Sequence, residues 1–186
     1  MKPTYVISPK NAGLDLFAGV MTAKALYENF GHPYEVASVT EADAQTQFAF
    51  ERFGFELPQV IETLADKTDN ATYIGSLNPE DYTNDMDQIQ MFAAFSNQTI
   101  SGLIAPAVHV NVHPYKTTSA VIFDLYHNFR HFEVSSQLAG LLLAAYIVET
   151  NNFEGELGFE DQSFVTYLKS KIDFDLDKFA KKLLSK

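Results

Sequence analysis

Few side chains in this sequence are placed to do chemistry. Two histidine pairs have a metal-type spacing. His127 and His131 stand four apart in a stretch read as helical, and His109 and His113 share one face of a run read as a strand. Two imidazoles four residues apart on a helix can grip one ion. The first pair, however, flanks Arg130 in the last turns of its helix, where cationic groups complement the helix dipole, and we read it that way. The second pair reads as polarity on an exposed edge strand or at a subunit contact. Two carboxylates carry more information. Glu149 follows the apolar run Leu138–Val148, so it ends a buried helix. The dipole there opposes a negative charge, which calls for a cation, a donor or water. Asp15 falls in the first turn of a helix, where an acid is favoured with no further role needed.

Several chemistries are excluded. The turn around Gly13 and Gly19 matches neither G-x-G-x-x-G nor G-x-x-x-x-G-K-[ST], so a nucleotide loop is not expected. There is no G-x-S-x-G elbow for a nucleophilic serine. The 186 residues include no Cys, which removes disulfides, thiolate metal sites and a cysteine nucleophile. Lys and Arg number 13 against 24 Asp and Glu, a formal net charge of −11. A field of that sign repels phosphate backbones and anionic lipid, so neither nucleic acid nor a membrane surface is an expected partner. The longest apolar run is too short to cross a bilayer, and the first residues do not read as a signal peptide. The expected compartment is the cytoplasm.

The elements that must position these residues follow from periodicity. Thr4–Ser8, Tyr34–Val39, Val60–Ile61, Ala71–Gly75, Gln90–Phe95 and Val108–Val112 read as strands. The last alternates apolar and polar residues and reads as an edge strand. Helices are expected over Leu14–Phe30, from a Thr40/Asp43 capping box to Phe53, and over Pro79–Ile89. Four more follow, at Thr117–Phe132, Ser135–Thr150, Glu160–Lys171 and Asp175–Leu184. Strand–helix alternation without a linker predicts one α/β domain, residues 1–186, with a mostly parallel sheet sandwiched by helices and a helical C-terminal third. Ligands of such sheets bind at the carboxyl ends of the strands. Here those ends are Ser8 to Asp15, Ser76 to Asn78 and Ser96 to Gln98, and they offer one carboxylate among small and amide side chains.

The same segments resemble a known family, the N-terminal DHH domain of the manganese-dependent (family II) inorganic pyrophosphatases and related exopolyphosphatases. Val6-Ile-Ser-Pro9-Lys-Asn11-Ala-Gly13-Leu-Asp15 resembles the family's first motif, V-F-G-H-x-N-P-D-S-D. Ile74-Gly-Ser76-Leu-Asn78 stands where the family has L-T-D-H-N, and Ala94-Phe95-Ser96-Asn97-Gln98 where it has V-D-H-H-R. Lys116-Thr-Thr-Ser-Ala120 and Ala139 to Thr150 resemble its G-S-A-S-S helix start and its A-G-L-x-L-S-G-L-I-S-D-T helix. The resemblance runs over nearly the whole chain.

What it implies for the site is a loss. The family's seven ligand positions for a metal pair become Pro9, Gly13, Asp15, Ser76, Phe95, Ser96 and Glu149, and its catalytic second DHH histidine becomes Asn97. Two carboxylates remain, and paired divalent ions need several anionic ligands. That leaves room for no cofactor, or for one weakly held Mg²⁺ or Mn²⁺ between Asp15 and Glu149. The family's C-terminal substrate-binding domain is not expected in this chain. The resemblance therefore implies a non-catalytic DHH domain, a pseudoenzyme serving binding or assembly, and a homodimer contact at Val108–Val112. Two alternatives stand beside it. One is a weak single-metal phosphoanhydride or phosphoester hydrolase using Asp15 and Glu149. The other is a small phosphate-ligand binder whose remnant cleft uses Asn11, Ser76, Asn78 and Asn97.

Overall fold

The computed structural model describes residues 2–31, 33–98 and 109–186. Six strands form one sheet: β1 (Thr4–Ser8), β2 (Tyr34–Ser38), β3 (Gln59–Val60), β4 (Asn70–Ile74), β5 (Gln90–Ser96) and β6 (His109–Val112). Their order is β3-β2-β1-β4-β5-β6, and every pairing is parallel. The α/β class expected from the alternation is the one observed. Among the described strands β6 lies at the sheet edge, as its polar–apolar alternation predicts. Val108, the expected first residue of that strand, lies outside the described residues.

Central strands of a parallel sheet are apolar on both faces because both are covered. Val6 and Ile7 are both fully buried, yet they enter different clusters, as neighbours on a strand must. The Val6 face receives the helices α1 (Leu14–Glu28), α3 (Thr118–Asp124) and α4 (Ser136–Glu149). The Ile7 face is covered by the irregular stretch that carries Ile61, Leu64, Tyr82, Met86 and Ile89. Asp85 ties that cover together, accepting from the backbone N–H groups of Leu64 and Ala65 at 2.8 Å each.

Helix α4 is apolar all round, and Leu138 to Ile147 are buried throughout. Such a helix belongs in a core. Leu142, Leu143 and Tyr146 meet the sheet-side cluster. Leu141, Ala144 and Ile147 meet a second cluster, built with α2 (Ala44–Phe53) and α6 (Leu176–Leu183). α5 (Phe159–Lys169) lies across α4 and adds Phe164 and Leu168.

Three expected helices differ from those found. Pro79–Ile89 is two short 3₁₀ turns, Pro79–Asp81 and Met86–Gln88. The buried residues 82, 86 and 89 mimic helical spacing. However, the Tyr82 hydroxyl is anchored on the carbonyls of Ile74 and Ser76, and Asp85 is turned toward the neighbouring loop. Helix α2 begins after Asp43, whose side chain caps Thr46 N at 2.7 Å, and not at Thr40. Thr40 is folded back on Ser38, whose hydroxyl takes the Thr40 N–H. The expected Thr117–Phe132 helix passes into a π turn at Leu125–Phe129 and ends, and His131 takes a left-handed φ of 57°. His127 stacks on Phe123 and Tyr167. His127 and His131 therefore share no helix face, and the i, i+4 metal geometry is not formed.

Gly140 sets how closely α4 approaches α2. A Cβ there would lie 2.3 Å from the Phe53 ring. Phe53 is itself held against Phe174 and Phe179, with centroids at 5.6 and 5.3 Å. Gly140→Ala should therefore lower unfolding free energy by about 1–3 kcal/mol in urea titrations, as overpacked cores do. An unchanged midpoint would show that the contact is not tight.

Candidate functional site

The sheet reverses its order of strand addition between β1 and β4, and in open α/β sheets the crevice at that switch point is where ligands bind. A cleft of about 520 Å³ opens there. The segments at the carboxyl ends of three strands wall it. Pro9, Lys10, Asn11 and Gly13 follow β1; Gly75, Ser76, Leu77, Asn78 and Asp81 follow β4; Ser96, Asn97 and Gln98 follow β5. Thr118 at the start of α3 and Glu149 at the end of α4 complete it, with Asp15 and Leu16 from α1. The nine residues singled out in the sequence, Pro9, Asn11, Gly13, Asp15, Ser76, Asn78, Ser96, Asn97 and Glu149, all line this one cleft. Phe95 does not; it is buried in the core.

Asp15 is the buried centre, only 6% exposed. Its two oxygens accept the backbone N–H groups of Thr118 at 2.7 Å and Ser119 at 2.9 Å. Those are orphan donors of the first turn of α3. Asp15 also stands in the first turn of α1, whose N-cap, Gly13, offers no side chain to cap it. One carboxylate thus serves two helix N-termini. Burial pushes the Asp15 carboxyl above its ordinary range, and the Ser119 and Thr118 donors offset only part of that. Glu149 lies at the open side of the cleft and is exposed. Its carboxyl is raised by partial desolvation and then by the charge of Asp15.

Most of the neutral polar groups are engaged with one another. Ser76 Oγ donates to Asp81 and accepts from Asn78 N. Asn97 accepts from the Thr118 hydroxyl at 2.9 Å and donates to the Tyr115 carbonyl at 3.2 Å. Ser96 Oγ accepts from Gln98 N. Lys10 holds the Glu80 carbonyl at 2.8 Å, and its own N–H bonds the Asp81 carbonyl at 2.6 Å, so the first and second turns are tied across the cleft. Sequence reasoning places Lys10 and Gln98 on strand ends without a role of their own, and it misses Asp81 and Thr118 as lining residues. For Asp81 the spacing from Ser76 was a usable signal, hidden by the helix expected to start at Pro79.

No protein-family model matches the chain. Related sequences do. A probable manganese-dependent inorganic pyrophosphatase of Lactobacillus delbrueckii subsp. bulgaricus is 24% identical over 188 residues, covering 100% of this chain and 55% of the relative. One from Lactobacillus acidophilus is 24% identical over 151 residues, 81% of this chain and 48% of that protein. A solved Methanococcus jannaschii structure, assigned to the family II inorganic pyrophosphatases, superposes with a TM-score of 0.85 at 20% identity, covering 98% of this chain and 60% of that one. The chain has the fold of that structure and is similar in sequence to these pyrophosphatases. An exopolyphosphatase-related protein from Bacteroides fragilis shares the fold as well, with a TM-score of 0.79 at 12% identity over 100% of this chain and 57% of its own. The chain spans about half the length of the curated relatives it matches.

The relatives' name raises the question whether the donors here suit a manganese pair. Pro9 and Gly13 have no side-chain donor, and the Ser76 hydroxyl is spent on Asp81. Each Asp15 oxygen already takes an N–H. Among the described residues no group of three or more His, Asp or Glu is placed to hold a metal ion. The donor set of this cleft does not fit a pair of divalent ions, whose mutual repulsion several anionic ligands must offset.

If Asp15 is chiefly a clamp, its removal is a folding lesion. Asp15→Ala would leave two buried N–H groups unpaired and should cost about 2 kcal/mol or more in urea unfolding. Asp15→Asn keeps one acceptor and escapes burying a charge, so its loss should be smaller. The folded pKa is raised, so wild type should hold its largest advantage over Asp15→Asn below about pH 4 and lose it as pH rises through the folded value. An alanine variant within about 0.5 kcal/mol of wild type would remove the clamp.

Proposed function

We propose that this DHH domain is non-catalytic and works by binding, through the cleft at the carboxyl edge of its sheet, and by assembling as a homodimer. The observation that carries this reading is the double hydrogen bond from α3 to Asp15. The carboxylate that the family resemblance equates with a metal ligand is committed to holding two helices together. The remaining acids come from separate elements, Asp81 from a 3₁₀ turn and Glu149 from the end of α4, and the Asp81 side chain is engaged by Ser76. Manganese-dependent pyrophosphate hydrolysis belongs to the names of the relatives. For this chain it would have to run on a single ion held mainly by Glu149, and a free carboxylate with amides and water binds Mg²⁺ or Mn²⁺ weakly.

Phosphate release from pyrophosphate or tripolyphosphate should stay at the buffer level with Mn²⁺, Mg²⁺ or Co²⁺. Release above it that disappears in Glu149→Gln would establish the single-metal hydrolase instead.

The assembly reading rests on β6. It ends the sheet, its outer side has no partner strand among the described residues, and Val112 is 36% exposed. An edge of this kind is a template for pairing with another chain. A second copy is the occupant that the family resemblance implies. Size-exclusion chromatography with light scattering should return twice the 20.8 kDa chain mass. A mass of one chain at micromolar concentration would rule the dimer out.

A further inference from the structure

We propose that the cleft takes a cationic organic ligand, an amine or guanidinium group, with Glu149 as its main counter-charge. This rests on the reading of the cleft as a binding site and says what chemistry it selects. Helix N-termini attract anions, and two of them, of α1 and α3, meet at this cleft. An outside phosphate would normally sit there. Here the seat is filled from within the chain. Asp15 lies in the first turn of α1, and its oxygens take the first-turn N–H groups of α3. A free anion would have to displace a carboxylate that is covalently held in place.

What remains for a ligand to meet is negative or neutral. The wall carries three carboxylates, Asp15, Asp81 and Glu149, against one ammonium, Lys10, which is itself bound to the Glu80 carbonyl. The formal charge of −11 on the whole chain adds to the same sign. Like charges repel, so the acidic wall disfavours an anion before any contact forms. Asn11 and Gln98 have side chains with no protein partner among the described residues, and the Asn78 amide nitrogen is likewise unused. Their amide groups can accept from N–H donors and bond hydroxyls. The volume, about 520 Å³, suits a molecule larger than an inorganic ion. Glu149, exposed on the open side, is the carboxylate a cation can reach without first breaking a protein hydrogen bond.

The test uses the full chain in metal-free buffer at about 0.15 M salt, where surface charge is screened within about 8 Å. The probes are agmatine, which carries a guanidinium and an amine, and pyrophosphate as the anion. Agmatine should raise the melting temperature, since a ligand of the folded state must, and bind measurably by calorimetry. Glu149→Gln should weaken that binding about tenfold or more. Glu56→Gln, an exposed acid outside the cleft, should leave it intact. Agmatine binding that survives in Glu149→Gln would be attraction to the acidic surface and would overturn the proposal. So would the absence of any agmatine effect. A pyrophosphate shift without an agmatine shift would keep the cleft as a binding site but reverse its charge preference. Metal-dependent phosphate release is a separate outcome: it removes the non-catalytic reading and is read in a different assay.

Discussion

The structure turns on one carboxylate. The N-terminal ends of helices α1 and α3 both line the cleft at the switch point of the sheet, and two like helix ends meeting there favour an anion between them. Asp15 is that anion. Thr118 and Ser119, the residues it grips, lie more than a hundred positions away in sequence. The same junction is held from the far side. Asp161, buried on α5, accepts from Lys116 N at 3.2 Å and from the Tyr146 hydroxyl at 2.7 Å. Thr117 caps α3 through Ala120 N. Three side chains, Asp15, Asp161 and Thr117, therefore fix where α3 begins, and that point sets one wall of the cleft. The cost is visible in the charge of Asp15 itself. Burial raises its carboxyl despite the donors, so the interaction is a compromise between desolvation and hydrogen bonding.

Much of this frame is legible in the sequence. Thr4–Ser8 is the observed β1 to the residue, and the other strands lie within a position or two of their apolar runs. Those runs are short and dense because parallel strands are buried on both sides. Gly31 and Gly54 end their helices with left-handed φ angles of 72° and 74°, as their places after the apolar periods suggest. What misleads is local pattern overruled by distant contact. Residues 79–89 have helical spacing because Tyr82, Met86 and Ile89 all fill the same cluster with Leu64. They fill it from irregular backbone, since the Tyr82 hydroxyl and the Asp85 carboxylate bond groups outside their own segment.

The site shows the same division. Much of its membership follows from the rule that clefts form at strand ends: residues from all three strand-end segments line the cleft, although Ser8, Ala12 and Leu14 of the first do not. The division of labour within it does not follow from that rule. As sequence, Asp15 is an acid in a first helical turn, and a helix-dipole role on α1 explains it fully. Nothing local indicates that its oxygens are taken by another helix. Glu149, by contrast, ends a buried helix at the pole that opposes its charge, and the sequence flags it for that reason. The structure leaves it there, raised by desolvation and by Asp15.

These two acids therefore divide by geometry although the resemblance groups them. A carboxylate between two helix N-termini has both oxygens bonded by the protein, so recruiting it for anything else costs those hydrogen bonds. A carboxylate at a helix C-terminus, beside another acid, is destabilised by the protein and gains from any positive partner that arrives. Asp15 is the first case and Glu149 the second. The fold has its internal anion already. The group it leaves unsatisfied is negative, and that asymmetry, more than the shape of the cleft, sets which ligands can lower its free energy.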